Sequence, residues 1–247
     1  VELFVPSKNR HDGKTLLALE RYKMKYNLVI EKGDYELYKS LQYANIIILP
    51  KANKGIGYSR NYIVSIAKAP FLMLDDDLNV FYYRNRKLEL VKVSIKRFIE
   101  VFSKYCNKPA LQHIPIIGCK NTTFALPDND FTYNTDVAHI VYVNPNSLAK
   151  MKLNYDVNLR AFEDIDLLIR ILLNKVPEGQ VVRINKLVYY TTPSGTNTGG
   201  LDYTKVDKEH FLNVLVKKYP SIIENLKSHT KYNQPKYTVH WDRIEKQ

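Results

Sequence analysis

The sequence is short of cysteine, tryptophan, methionine and acidic residues. Its two cysteines, Cys106 and Cys119, cannot staple a disulfide framework and show no metal-ligand spacing. They read as two small buried thiols of a reduced intracellular protein. No apolar run approaches the roughly 18 residues that a membrane-spanning helix needs, so no membrane partner is expected. No charged-then-apolar leader opens the chain, and a cytoplasmic setting is the expectation. No internal repeat is visible, and no linker is long enough to split the chain. Asp plus Glu number 25 against 37 Lys plus Arg, a formal charge of +12 over 247 residues. That balance fits either a solvated basic surface or a polyanionic partner such as nucleic acid, nucleotide phosphate or anionic lipid.

What is present is an ordinary globular composition, 45% hydrophobic and 25% charged, which excludes global disorder. Short apolar runs alternate with helical stretches through the first half. Leu3-Phe4-Val5, Leu28-Val29-Ile30, Ile46 to Leu49 and Phe71 to Leu74 read as strands. Thr15–Tyr22, Tyr35–Gln42 and Tyr58–Ala67 read as helices between them. Continuous apolar strands separated by helices predict an α/β fold with a mostly parallel central sheet flanked by helices. Further on, Ser94–Tyr105 and Glu163–Asn174 carry helical spacing, as does Lys208–Tyr219. Val137–Val143 and Val181–Tyr190 read as strands. The stretch Thr191 to Gly200 is too rich in glycine and small polar residues for a packed element.

Asp75-Asp76-Asp77 directly follows the apolar run Phe71–Leu74. Adjacent carboxylates repel, and strand carboxyl ends are where open α/β sheets place ligands. Alternation puts Asp75 and Asp77 on one side, where hard oxygens suit Mg2+ or Mn2+. A solvated acidic turn is the plainer reading of the same residues. Upstream, Lys54-Gly55-Ile56-Gly57-Tyr58-Ser59-Arg60-Asn61 offers close backbone approach, a helix N-terminus and an arginine to an anion. It fits a tight turn with a surface arginine as readily. Glu163-Asp164-Ile165-Asp166 opens a helix, where acids complement the macrodipole. Three acids in four positions exceed what capping needs, and one of them can serve as general base. His139, in the alternating stretch from Asp136 to Tyr142, reads as a core or sheet residue rather than a ligand. His11 beside Asp12 reads as a helix cap.

Taken in order, these features resemble a GT-A glycosyltransferase. More narrowly, they resemble the TET-associated glycosyltransferase family of phages and some eukaryotes. The matching features are the opening strand with Pro6-Ser7-Lys8, the stretch from Leu49-Pro50 to Asn61, and Met73-Leu74-Asp75-Asp76-Asp77. Phe162-Glu163-Asp164-Ile165-Asp166 and Gly199-Gly200-Leu201-Asp202 also fit. The likeness touches residues 1–220, although Leu88 to Asn134 carries no matching motif.

The resemblance implies a metal-dependent enzyme that moves a sugar from UDP-glucose or another UDP-sugar to a hydroxymethylated base in DNA, 5-hydroxymethylcytosine first among them. On the family pattern, Pro6, Ser7, Lys8 and Arg10 meet the nucleotide and Glu31 meets its base or ribose. Arg60 falls at the diphosphate-facing position, and Gly57 and Asn61 join it in the nucleotide-sugar site. Asp75 and Asp76 belong to the nucleotide-sugar site, and Asp75 and Asp77 would hold Mn2+ or Mg2+. Asp164 is the base expected for an inverting reaction, with Glu163 beside it. His229 and His240 are guesses for a third metal ligand. The basic, aromatic tail, with Lys231, Lys236, Trp241 and Arg243, would either hold the DNA acceptor or pack as an amphipathic end segment. The expected division is a GT-A-like domain over residues 1–226 and an extension over 227–247. The competing readings are the same fold acting on a protein or polysaccharide, and a catalytically silent nucleic-acid-binding relative.

Overall fold

A computed structural model of the chain describes residues 1–121, 129–174, 180–191, 208–230 and 234–246. Strand β1 (Glu2–Pro6) is buried along all but its first residue and is followed by α1 (Lys14–Arg21), whose Leu16 and Leu19 face the core. Then come β2 (Tyr26–Ile30), the single turn α2 (Tyr35–Tyr38) and β3 (Ala44–Ile48). They continue into α3 (Ile56–Ile66), β4 (Phe71–Leu74), β5 (Leu78–Arg84) and β6 (Leu90–Val93). Helix α4 (Ile95–Cys106) is capped by the Ser94 hydroxyl, which accepts from Arg97 N–H at 3.2 Å. Its Phe98 ring lies 5.0 Å from that of Phe81 on β5. The chain proceeds through β7 (Ile116–Asn121), β8 (Phe131–Tyr133), β9 (Ile140–Val143), α5 (Pro145–Lys150) and α6 (Glu163–Leu173). It ends with β10 (Val181–Thr191), α7 (Lys208–Lys218), β11 (Ile223–His229) and β12 (Pro235–Val239).

The central sheet has the order β3-β2-β1-β4-β9-β7-β10-β5-β6, with β8 pairing β10. Strands β1 to β4 are mutually parallel where they pair, and β10 is parallel to β7. Strand β9 runs antiparallel between β4 and β7, and β5 runs antiparallel to β10. One apolar cluster covers the α1 and α4 face of the sheet, and a second lies under α3 and α6. A third joins α6 and α7 to the β11–β12 hairpin. Among the described residues, no helix is long and apolar enough to cross a membrane.

Several local expectations change. The helix expected over Tyr35–Gln42 is helical only to Tyr38. The strand expected from Val137 begins at Ile140. Strands β5, β6 and β7 lie where no element was assigned. The expected boundary at 226/227 falls inside β11, and beyond it Trp241 and Ile244 pack onto the apolar clusters beneath α6 and α7.

Candidate active site

The candidate site gathers where β1 and β4 end. Asp75 leaves β4 with its N–H donating to the His139 carbonyl at 2.8 Å. One carboxylate oxygen meets His139 Nδ1 at 2.6 Å, and the other accepts from Arg60 at 3.2 Å. Burial pushes the Asp75 carboxyl up, but Arg60 and then His139 reverse this and hold it at about 2. The Thr15 hydroxyl donates to the Asp75 carbonyl at 2.7 Å, pinning the turn from the other side.

Ligand atoms of Asp75, Asp77 and His139 all lie within 4.8 Å of one another. His139 therefore joins the acidic motif, contrary to its reading as a sheet residue. The physical reason is its left-handed backbone, φ 59°, which takes it out of strand alternation just before β9. His229 and His240 stand elsewhere, 3.7 Å from Glu209 and 3.2 Å from Glu224 on the C-terminal hairpin side. Two carboxylates and an imidazole this close fit one divalent cation. The oxygens suit Mg2+ or Mn2+, and the imidazole favours the transition metal of the two.

Asp76 points the other way. Ser7 donates to it at 2.6 Å and Arg10 at 2.5 Å. The Arg10 N–H donates to the Tyr38 hydroxyl at 2.8 Å, and that hydroxyl lies 2.8 Å from Ser7 Oγ. A hydrogen-bond chain thus runs from the Arg10 backbone through Tyr38 and Ser7 to Asp76. Burial pushes Asp76 up to about 6 against the pull of Arg10 and Ser7. Arg10 also approaches Asp77 at 3.5 Å. Next to Pro6, the Ser7 N–H donates to the Val29 carbonyl at 3.0 Å and fixes the loop onto β2. Lys8 donates to both oxygens of Glu31, at 2.9 and 3.0 Å, and to Asn53 at 2.7 Å. The first loop is thereby tied to the end of β2.

Helix α3 does not present Arg60 or Asn61 to open space. The Arg60 side chain is buried, donating to Glu163 at 2.6 Å as well as to Asp75. It also lies over the Tyr155 ring, 5.5 Å from the centroid. Asn61 donates to the Tyr155 carbonyl and accepts from its N–H, both at 2.8 Å. A Cβ at Gly57 would come within 3.2 Å of the Asp156 carbonyl, so this glycine permits close packing of α3 on that segment. Arg60, expected at the diphosphate, thus holds α3 to the start of α6, and Asn61, expected in the nucleotide-sugar site, holds α3 to the segment before α6.

The three acids of α6 have separate fates. Glu163 is buried against Arg60, and burial pushes it up to about 7 while Arg60 pulls it down. Asp164 is partly exposed and lines one small cavity with Arg60, His139 and Tyr155. Asp166 is fully buried and accepts from Lys218 at 2.6 Å, Tyr219 at 2.8 Å and Arg170 at 2.7 Å. It anchors α6 to α7 and is not available to a sugar hydroxyl.

Lys231 and Gly199-Gly200-Leu201-Asp202 lie outside the described residues. Lys236 and Arg243 are exposed, with Arg243 donating to the Ser221 carbonyl at 3.1 Å. Trp241 is partly buried between two apolar clusters, so its ring serves packing. Sequence reasoning missed Thr15, Tyr38 and Tyr155, whose roles depend on partners 28 or more residues away.

An acidic corner at the ends of parallel strands, sharing a small cavity with a carboxylate on a later helix, fits the glycosyltransferase class. The chain belongs to the TET-associated glycosyltransferase family, which it matches over residues 1–200. Comparison with curated proteins gave no match. Among solved structures, residues 1–349 of TarS from S. aureus resemble it with a TM-score of 0.50 at 15% identity. That likeness covers 77% of this chain and 60% of the other, so the chain spans less than two thirds of that structure. It shows a GT-A-like fold. The glycosyltransferase GlyE from Streptococcus pneumoniae is a more distant resemblance, with 11% identity, a TM-score of 0.37 and coverage of 88% and 64%.

Proposed function

We propose that the protein transfers a sugar from a UDP-sugar to a hydroxymethylated pyrimidine in DNA, 5-hydroxymethylcytosine being the first candidate, with inversion at the anomeric carbon. The observation that carries this reading is that His139 and Asp164 line one cavity, bringing the metal-fitting corner and a candidate base together. Family membership supports sugar transfer, and the formal charge of +12 favours a polyanionic acceptor over a neutral polysaccharide.

Asp75, Asp77 and His139 would hold the divalent ion, which supplies countercharge to a leaving diphosphate when bound. The first loop, tied by Ser7, Lys8 and Arg10 to Asp76 and Glu31, offers the nucleotide a preformed edge. Asp164 accepts the acceptor hydroxyl proton as the hydroxyl oxygen bonds to the anomeric carbon and the bond to diphosphate breaks. Asp164 stands in the first turn of α6, beside Glu163. Glu163, held by Arg60, sets the position of that helix end. A deep pocket would require the modified base to leave the duplex stack.

The test is UDP-sugar turnover, with and without Mn2+, on hydroxymethylated duplex DNA, unmodified duplex DNA and a polysaccharide. Metal-dependent turnover on the hydroxymethylated duplex alone supports the reading. Turnover on the polysaccharide alone overturns the acceptor.

A further inference from the structure

Two residues outside the proposed chemistry converge on the backbone around His139. Tyr189, on β10, is fully buried, and its hydroxyl donates to the Ala138 carbonyl at 2.5 Å. The same carbonyl accepts the Ile140 N–H at 2.6 Å, closing a three-residue turn centred on His139. That turn has φ 59° at its centre, a geometry strained for a side-chain-bearing residue. The Tyr189 ring stands edge-on to the imidazole, with centroids 6.0 Å apart. Below the turn lies Gly118 of β7. A Cβ there would sit 2.4 Å from Val137 Cβ and 3.2 Å from the Ile140 carbonyl. The turn seats against β7 because position 118 has no side chain.

Strained backbone persists where its surroundings over-determine it, and such sites cluster where function needs a fixed geometry. A buried tyrosine hydroxyl needs an acceptor, but nothing general directs it to the carbonyl preceding a candidate ligand. We infer that Tyr189 and Gly118 are positioning residues: together they hold His139 in its left-handed conformation and present its imidazole to the Asp75 and Asp77 carboxylates for a divalent cation. This rests on the metal reading above. Groups that orient a metal ligand commonly change metal affinity by about 10–100-fold when removed.

Tyr189→Phe keeps the ring and deletes the hydroxyl. Free Mn2+ is followed by electron paramagnetic resonance as protein is titrated in the presence of UDP, against a protein-free blank. Wild type should deplete the free-ion signal and His139→Ala should not. Tyr189→Phe should bind Mn2+ about tenfold more weakly or worse. Gly118→Ala should weaken binding in the same direction if it folds, and the tyrosine variant decides alone if it does not. A Tyr189→Phe protein with wild-type Mn2+ affinity, whatever its melting temperature, overturns the inference while His139→Ala leaves the metal reading standing. A wild-type protein that leaves the Mn2+ signal unchanged overturns both.

Discussion

Arg60 joins Glu163 to Asp75, with one guanidinium nitrogen 2.6 Å from the glutamate and another 3.2 Å from the aspartate. A single buried cation therefore couples the start of α6 to the end of β4. These are the two elements that carry the candidate base and the candidate metal corner.

Removing that cation should be costly. Arg60→Ala leaves Glu163, which is 4% exposed, as a buried carboxylate without its partner. Breaking a buried pair from one side costs about 3–5 kcal/mol. Urea denaturation should show a loss of that order, and Arg60→Ala with Glu163→Gln should recover part of it. A loss under about 1 kcal/mol would contradict a structural role for the pair.

Asp75→Asn and Asp77→Asn should each abolish the metal-dependent part of UDP affinity while the protein still folds. Carboxylates crowded at a strand end lose mutual repulsion when one is neutralised. Calorimetric titration of UDP with and without Mn2+ separates the metal contribution. Wild-type metal dependence in both variants would remove these two aspartates from the ion.

The sheet was legible in part, and what was missed has physical causes. Strands β1, β2 and β4 announce themselves as apolar runs because they are covered on both faces, and the edge strand β3 keeps such a run although it is only partly buried. Strand β5, Leu78–Arg84, mixes tyrosines with polar residues and runs into an exposed charged turn, so it lacks such a run. In the site, the acidic triplet was legible because strand ends and carboxylates are local features. His139 was not, because its conformation is set by Asp75, Gly118 and Tyr189, all distant in the chain. Arg60 invited reading as an anion donor beside two glycines. Its partners lie 15 and 103 positions away, which no local pattern reveals. Asp166 likewise depends on Lys218 and Tyr219.

Asp164→Asn preserves shape and removes basicity. Donor and DNA binding should persist, and turnover should fall by about two or more orders of magnitude. Glu163→Gln should be milder, since Glu163 is held by Arg60 and acts on position. Steady-state kinetics on both variants assign the roles. A dead Glu163→Gln beside an active Asp164→Asn would exchange them.

Lys236 and Arg243 are exposed, so in the C-terminal segment charge rather than packing is the part to alter. Replacing Lys231, Lys236 and Arg243 by Ala should weaken DNA binding and make its salt dependence shallower. The slope should fall by up to about 0.9 for each phosphate that is no longer neutralised. UDP affinity should stay within about twofold, because salt screens surface charges that do not touch the nucleotide. Fluorescence anisotropy across a salt series reads the DNA effects, calorimetry reads UDP, and unchanged slopes would leave this surface without a role in the acceptor complex.

The most direct measurement is mass spectrometry of nucleosides digested from hydroxymethylated DNA after incubation with the protein, Mn2+ and a panel of UDP-sugars. The proposed reaction requires one 5-hydroxymethylcytosine nucleoside species to gain the mass of a single sugar residue. That species should be absent without metal and absent with Asp164→Asn. Unmodified nucleosides under every donor, with sugar instead found on a polysaccharide or protein acceptor, would contradict it.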